Sequence, residues 1–423
     1  KQTMNTNLPL ALAAALAFSL SGCSETDNNQ VADATAEKAS SEPMTTQPAE
    51  SNPFFQESPL YMHYPQFDKI ENSHYVPAFE RGMEEQLAEI QAIVDQADAP
   101  TFDNTLIPLE RSGQTLARVT RVFFSMASAN TNDGNEQIRT EMATKLAAHN
   151  DKITLNAELF ARIKSIYDQR DTLELDPESY RLIEEGYRDF VRAGALLSDD
   201  EKVQLRAINS ELASLQTSFS QNVMNEVKSA GVLVDTREEL AGMSDAMIET
   251  AAKAATEAGH EGKYLIVLIN TTQQPPLAVL ENRELRQRIF EASMARGSHG
   301  GDYDNREALT RVIKLRAERA QLMGYETHAS YGLEVQTAKN PEAVNERLAT
   351  LAAPAVENAK REAAAMQAII DAEGGDFELA AWDWDFYAEK VRKERYDFDA
   401  SQLKPYLELN NVLFKGVFYA AEM

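Results

Sequence analysis

Cysteine is almost absent: Cys23 is the only one in 423 residues. No internal disulfide can form, and a thiol nucleophile in the body of the chain is excluded. Glycine and proline, 18 and 15 residues, are too few for a collagen-like or proline-rich chain. Positive charge is the scarcer sign, with 41 Lys plus Arg against 67 Asp plus Glu, and 41 − 67 gives −26. A surface this acidic repels phosphate backbones and argues against a nucleic-acid partner, while small, neutral or cationic partners such as peptides remain compatible. No apolar run approaches the roughly 20 residues that a membrane-spanning helix needs. Glycine-rich phosphate loops, internal repeats and the Gly-x-Ser-x-Gly elbow of serine hydrolases are missing as well. What is present, 43% hydrophobic and 26% charged residues, describes an ordinary globular protein with ample core. At about 150 residues per domain, the length suggests two or three domains or one large helical unit.

The first fifty residues have a different character. Leu8 to Leu20, LPLALAAALAFSL, follows Met4 and ends in Leu20-Ser21-Gly22-Cys23. The run is too short to span a bilayer but has the length of a secretory signal core. The small residues before Cys23 resemble a bacterial lipoprotein processing site, which implies lipidation of Cys23 after cleavage. Ser24 in the next position implies, by the same resemblance, the outer membrane of a bacterial envelope and a periplasmic body. From Ser24 to Asn52 almost nothing large and apolar occurs. Such a segment cannot bury enough surface to fold and reads as a disordered tether.

From Tyr75 onward helical periodicity dominates. Leu205, Ile208, Leu212, Leu215, Phe219 and Val223 recur at steps of three and four, one apolar stripe on one helix. Ser198 and Glu201 form a capping box at its start, and the helix is expected to run to about Lys228. Leu309, Val312, Ile313, Ala320 and Met323 signal another helix closed by Gly324, and Asn340-Pro341 opens a third. Tyr264 to Ile269, YLIVLI, followed by turn residues through Pro276, reads as a strand. Leu277 to Leu280 is either its partner or the entry to the next helix. The expected fold is mostly α, an elongated multi-helix array with one small β segment at about 264–280. The chain is expected to divide into a leader at 1–23, a tether at 24–52, a helical region at 53–235 and a second helical region carrying the β segment at 236–423.

Candidate chemistry is thin. The six histidines are His63, His74, His149, His260, His299 and His328, and no two stand one helical turn apart. His260-Glu261 resembles the start of a zinc-peptidase motif, but Gly262, Lys263 and Tyr264 follow it, so a solvated turn before the strand is the better reading. Arg296 to Asp302, RGSHGGD, reads as a mobile loop between two helices. Trp382-Asp-Trp-Asp-Phe-Tyr387 gathers both tryptophans with two carboxylates. Such a cluster suits binding of a sugar or peptide, but packing of a helix N-terminus capped by Asp383 or Asp385 accounts for it more simply. Composition and spacing alone give no catalytic residue and no metal ligand.

An ordered set of segments nevertheless resembles one enzyme family. Phe67-Asp-Lys-Ile70, His74-Tyr-Val-Pro-Ala-Phe79, Thr101-Phe-Asp-Asn-Thr105 and Pro108-Leu-Glu110 come first. Glu281-Asn-Arg-Glu-Leu-Arg286, Gly301-Asp-Tyr-Asp-Asn-Arg306, Ala317 to Gly324 and Ala329-Ser-Tyr331 follow. Trp382-Asp-Trp384, Phe386-Tyr387, Leu403-Lys-Pro-Tyr406, Val412-Leu413 and Gly416 complete the set. Together they resemble the thimet oligopeptidase family of zinc metallopeptidases, most of all its bacterial peptidyl-dipeptidase (dipeptidyl carboxypeptidase) branch. The resemblance runs from about Asn52 to Met423. It implies a two-lobed, largely helical fold around a channel, one zinc held by His-Glu-x-x-His and a later glutamate, and release of dipeptides from the C-terminus of short peptides. No position here matches those ligands or the general base. The chain is therefore expected to correspond to the N-terminal half, its zinc ligands to lie beyond Met423, the break to be that of a truncated gene model or incomplete contig, and the half on its own to be inactive. The alternatives are a non-catalytic helical lipoprotein that binds peptides or a partner protein, and an endo-acting oligopeptidase of the same family.

Overall fold

The computed structural model describes residues 52–268, 274–396, 403 and 405–423. Cys23, the leader and nearly all of the tether lie outside the described residues, as does the end of the YLIVLI run, Ile269. Two compact units divide the chain between Leu197 and Ser198.

The first unit is all helical. After short turns at Pro53–Phe55, Tyr61–His63 and Phe67–Lys69 come α1 (Asn72–Val94), a π-turn at Phe102–Leu106 that runs into α2 (Ile107–Arg111), α3 (Gln114–Ala129), α4 (Asp133–Thr154), α5 (Ala157–Gln169) and α6 (Pro177–Arg192). Side-chain caps start several of them: Asn132, Asn156 and Asp176 each accept from a first-turn amide. One core is aromatic. Phe54, Tyr75, Phe79 and Phe123 pack between α1, α3 and α4, with Phe79 and Phe123 edge to face at 5.4 Å. The other is aliphatic, with Ile90, Leu159, Ile163, Ile166 and Ile183 buried where α1, α5 and α6 meet. Close approach of α1 to α3 depends on Gly82, where an added Cβ would lie 2.7 Å from the Leu116 amide nitrogen.

The second unit opens with α7 (Asp199–Ser229), capped as its sequence predicts: the Ser198 amide donates to Glu201 at 2.8 Å and the Glu201 amide to Ser198 Oγ at 3.4 Å. Then come β1 (Gly231–Val234), α8 (Asp245–Glu257), β2 (Tyr264–Val267), a 3₁₀ turn at Pro275–Ala278, α9 (Arg283–Met294), α10 (Arg306–Leu322), α11 (His328–Leu333) and α12 (Pro341–Ala372). After a turn at Ala381–Asp383 follow α13 (Trp384–Tyr396), α14 (Leu409–Val412), a π-turn at Leu413–Val417 and α15 (Phe418–Glu422). β1 and β2 pair antiparallel, Gly231 opposite Val267 and Val234 opposite Tyr264. This is the one sheet among the described residues. The strand at Tyr264 was expected; its partner is upstream β1 rather than 277–280, where Pro275 and Pro276 lead the chain into a turn toward α9. α8 covers the sheet, and Val232, Val234, Ile266, Leu268, Leu280 and Ile289 form the core beneath it.

The protein is therefore mostly α with one small sheet. Among the described residues no helix is long and apolar enough to cross a membrane. The α7 stripe is covered in its first half, where Leu205 and Leu212 are buried and Leu212 packs with Val312 and Leu315 of α10. At its far end Val223 is exposed.

Candidate functional site

The histidines are scattered. His63 is exposed, 3.6 Å from Glu57, and His74 Nδ1 accepts the Glu71 amide at 3.0 Å, completing the cap of α1. His149 is buried with Nε2 2.7 Å from Gln86 Oε1. His260 sits exposed in the turn after α8, its amide donating to the Ala255 carbonyl at 2.8 Å. Among the described residues no three His, Cys, Asp or Glu side chains converge on a point that suits a metal ion. The described residues therefore do not fit a resident zinc.

The aromatic stretch at 382–387 forms a buried charge cluster. Asp383 is fully buried. Arg283 Nε lies 3.1 Å from both its carboxylate oxygens and Arg283 Nη2 2.8 Å from Oδ2, while Arg286 Nη2 donates to Oδ1 at 2.8 Å. Oδ2 also accepts the Ala380 amide at 3.1 Å, capping the turn that leads into α13. Burial alone would raise the Asp383 pKa, but the two guanidinium groups outweigh it and hold the carboxyl below its ordinary range. Arg286, also buried, spends Nη1 on the Leu280 carbonyl at 2.7 Å. The rings complete the cage: Arg283 lies 4.1 Å over Phe377 and Arg286 4.3 Å over Phe386. Both guanidinium groups share the one carboxylate, so the cluster locks α9 to the turn that opens α13. The capping role expected for Asp383 is met. Its two arginines are 100 and 97 positions away in sequence, and only their spacing of three on α9 hinted that they act together.

A second constellation fastens the glycine-rich loop. Glu226, buried on α7, accepts the Gly297 amide through Oε2, and its Oε1 lies 3.1 Å from His299 Nδ1. Asn305 donates through Nδ2 to the Phe219 carbonyl at 3.1 Å and accepts Asn222 Nδ2 at 3.0 Å. Arg296 Nη1 donates to the Leu268 carbonyl at 2.9 Å. The segment is a loop, as its composition predicts, and it is tied down at both ends.

Gln204, Ala207 and Ile208 of α7 with Glu318, Gln321 and Leu322 of α10 line an open groove of about 470 Å³. Amides and one carboxylate beside apolar carbon suit contact with a peptide main chain. No nucleophile paired with a base lies among these residues.

Comparison with known proteins places these features in a lineage. Residues 277–423 match the model of Peptidase family M3. Dipeptidyl carboxypeptidase of Escherichia coli (strain K12) is 43% identical over 370 residues, 88% of this chain and 54% of that protein. Dipeptidyl carboxypeptidase of Salmonella typhimurium is 42% identical over 371 residues, 88% of this chain and 55% of that protein. Oligopeptidase A of Escherichia coli is 27% identical over 358 residues, 84% of this chain and 52% of that protein. The chain spans about half the length of the curated relatives it matches.

Proposed function

Because the chain belongs to peptidase family M3, we propose that it is part of a zinc-dependent peptidyl-dipeptidase that releases dipeptides from the C-terminus of short peptides. The observation that carries this reading is 43% identity to a dipeptidyl carboxypeptidase, sustained over 88% of the chain. In this reading the groove between α7 and α10 is one surface a substrate would touch. The zinc ligands and the general base belong to sequence outside this chain, and residues 1–423 alone are inactive. The proposal includes an envelope location, with cleavage after Gly22, a lipid on Cys23 and residues 24–52 as a tether from the outer membrane into the periplasm.

The test is to incubate the complete gene product with an N-acetylated oligopeptide and its C-terminal amide, and to follow the products by mass spectrometry. Successive loss of dipeptides from the free acid, abolished by a chelator and restored by zinc, is the expected result. Internal cleavage that ignores the C-terminal amide would replace the reading with an endo-acting oligopeptidase, the alternative favoured by the match to Oligopeptidase A. No cleavage of either peptide with zinc supplied would leave a non-catalytic peptide-binding lipoprotein.

A further inference from the structure

Among the described residues of the first unit, eight large apolar side chains are exposed, and five of them stand between positions 60 and 67: Leu60, Tyr61, Met62, Tyr64 and Phe67. Tyr61 and Met62 keep 88% and 80% of their surface in water. The loop that carries them is closed on itself. Ser58 clasps its neck: the hydroxyl donates to the Tyr64 carbonyl at 2.6 Å and accepts the Leu60 amide at 3.3 Å, and the Ser58 carbonyl lies 3.0 Å from His63 Nδ1. The His63 amide donates to the Leu60 carbonyl at 2.9 Å, and the Tyr64 and Phe67 rings meet edge to face at 5.6 Å. Met62 and His63 have φ of 53° and 57°, in the left-handed region that a residue with a Cβ enters only at a cost. A strained, hydrogen-bonded loop thus holds apolar side chains out in water, where they contribute nothing to the core. From Ser58 to Gln66 the sequence SPLYMHYPQ contains no Asp, Glu, Lys or Arg, in a chain where these make up 26%.

The place of the loop in the chain indicates what it meets. Asn52, the first described residue, lies eight positions before Leu60, and the 29 residues from Ser24 to Asn52 reach at most about 100 Å from Cys23. We propose that the loop at 58–67 inserts Leu60, Tyr61, Met62 and Tyr64 into the surface of the bilayer that carries the chain, as a second contact beside the lipid on Cys23. This rests on the envelope location proposed above. Tyrosine suits the boundary between headgroups and acyl chains, because its ring is apolar and its hydroxyl stays wet. The uncharged tip lacks the placed charges that give a protein partner its register and carries none that the acyl region would reject. Each contact is weak alone. The tether makes insertion of the loop an intramolecular step, and two weak membrane signals hold where one does not.

The experiment places a polarity-sensitive fluorophore at position 62 through M62C, in the full chain purified from membranes and reconstituted into vesicles of phosphatidylethanolamine with a minority of phosphatidylglycerol. Acylation of Cys23, checked by mass spectrometry, leaves the introduced thiol as the reactive one. D189C, on the exposed side of α6, is the reference. A blue shift at position 62 and none at 189 is expected. C23S/M62C removes the lipid and tests the loop by itself: the same shift should appear at a higher lipid concentration, and adding Y61S/Y64S should raise the concentration needed at least about tenfold. A label at 62 that stays in water on an acylated, vesicle-bound chain overturns the loop and leaves the anchor standing. If Cys23 proves unacylated the anchor falls, and C23S/M62C decides the loop: a shift sustains it and none overturns it. A shift already present in C23S/M62C before vesicles are added, and lost on dilution, would mean that a second copy covers the loop, and overturns the lipid contact as well.

Discussion

Asp383 illustrates what one side chain fixes and how much of that was legible. Its place before a helix made a capping role readable, because caps depend on residues within one turn. The pairing with Arg283 and Arg286 was not readable, since nothing local records which distant arginine arrives at a buried carboxylate. Removing the acid leaves Arg286 charged and buried, so D383A should cost about 3–5 kcal/mol. R283Q should cost less, because that side chain keeps a third of its surface in water. The only two tryptophans, Trp382 and Trp384, flank Asp383, so urea unfolding followed by tryptophan emission reads this cluster directly. His149 offers a pH test in the first unit. Burial, then the charge of Lys152, pushes its pKa below the ordinary 6.5. The unfolded chain therefore takes up a proton that the native one refuses. Stability from the neutral ring is complete above about pH 6.5 and declines as the pH falls through the window below it. H149N should flatten that part of the profile, measured as hydrogen-exchange protection of α4 amides between about pH 7.5 and 5 relative to the unaltered chain.

Among whole elements, the α7 helix was legible from both ends, because a capping box and a stripe at steps of three and four are local signals. The strand at Tyr264–Val267 was legible for the same reason. Its partner was not: Gly231–Val234 is four residues long, follows directly on α7, and pairs across the intervening α8. A short strand whose register is set by a distant segment leaves little trace in a window of sequence. The tight crossing of α1 on α3 was equally silent. G82A should destabilise the first unit by about 1–3 kcal/mol, because the new methyl meets Leu116 backbone rather than a yielding side chain. Thermal melts of the variant would show a lowered midpoint. An unchanged midpoint would mean that α1 and α3 can separate by a few tenths of an ångström at no cost.

Over the whole molecule, the distribution of apolar surface is uneven. Leu348, Leu351 and Val356 of α12 are exposed, and so are Leu407, Phe414 and Tyr419 near α14 and α15. Exposed apolar side chains of this kind favour burial against other protein. Two opposed forces then act between copies of residues 1–423. Apolar burial draws them together, while a net charge of −26 holds them apart over a Debye length of about 10 Å at 0.1 M salt. The chain by itself should therefore self-associate at micromolar concentration, and more strongly as salt rises, with a weight-average sedimentation coefficient that climbs between about 0.02 and 0.5 M sodium chloride. Association driven by pairing of opposite charges would weaken over the same range. L407E/F414E should reduce the climb by adding charge where the apolar surface lies. A monodisperse monomer at every salt concentration, melting in one sharp transition, would show that these side chains need no cover.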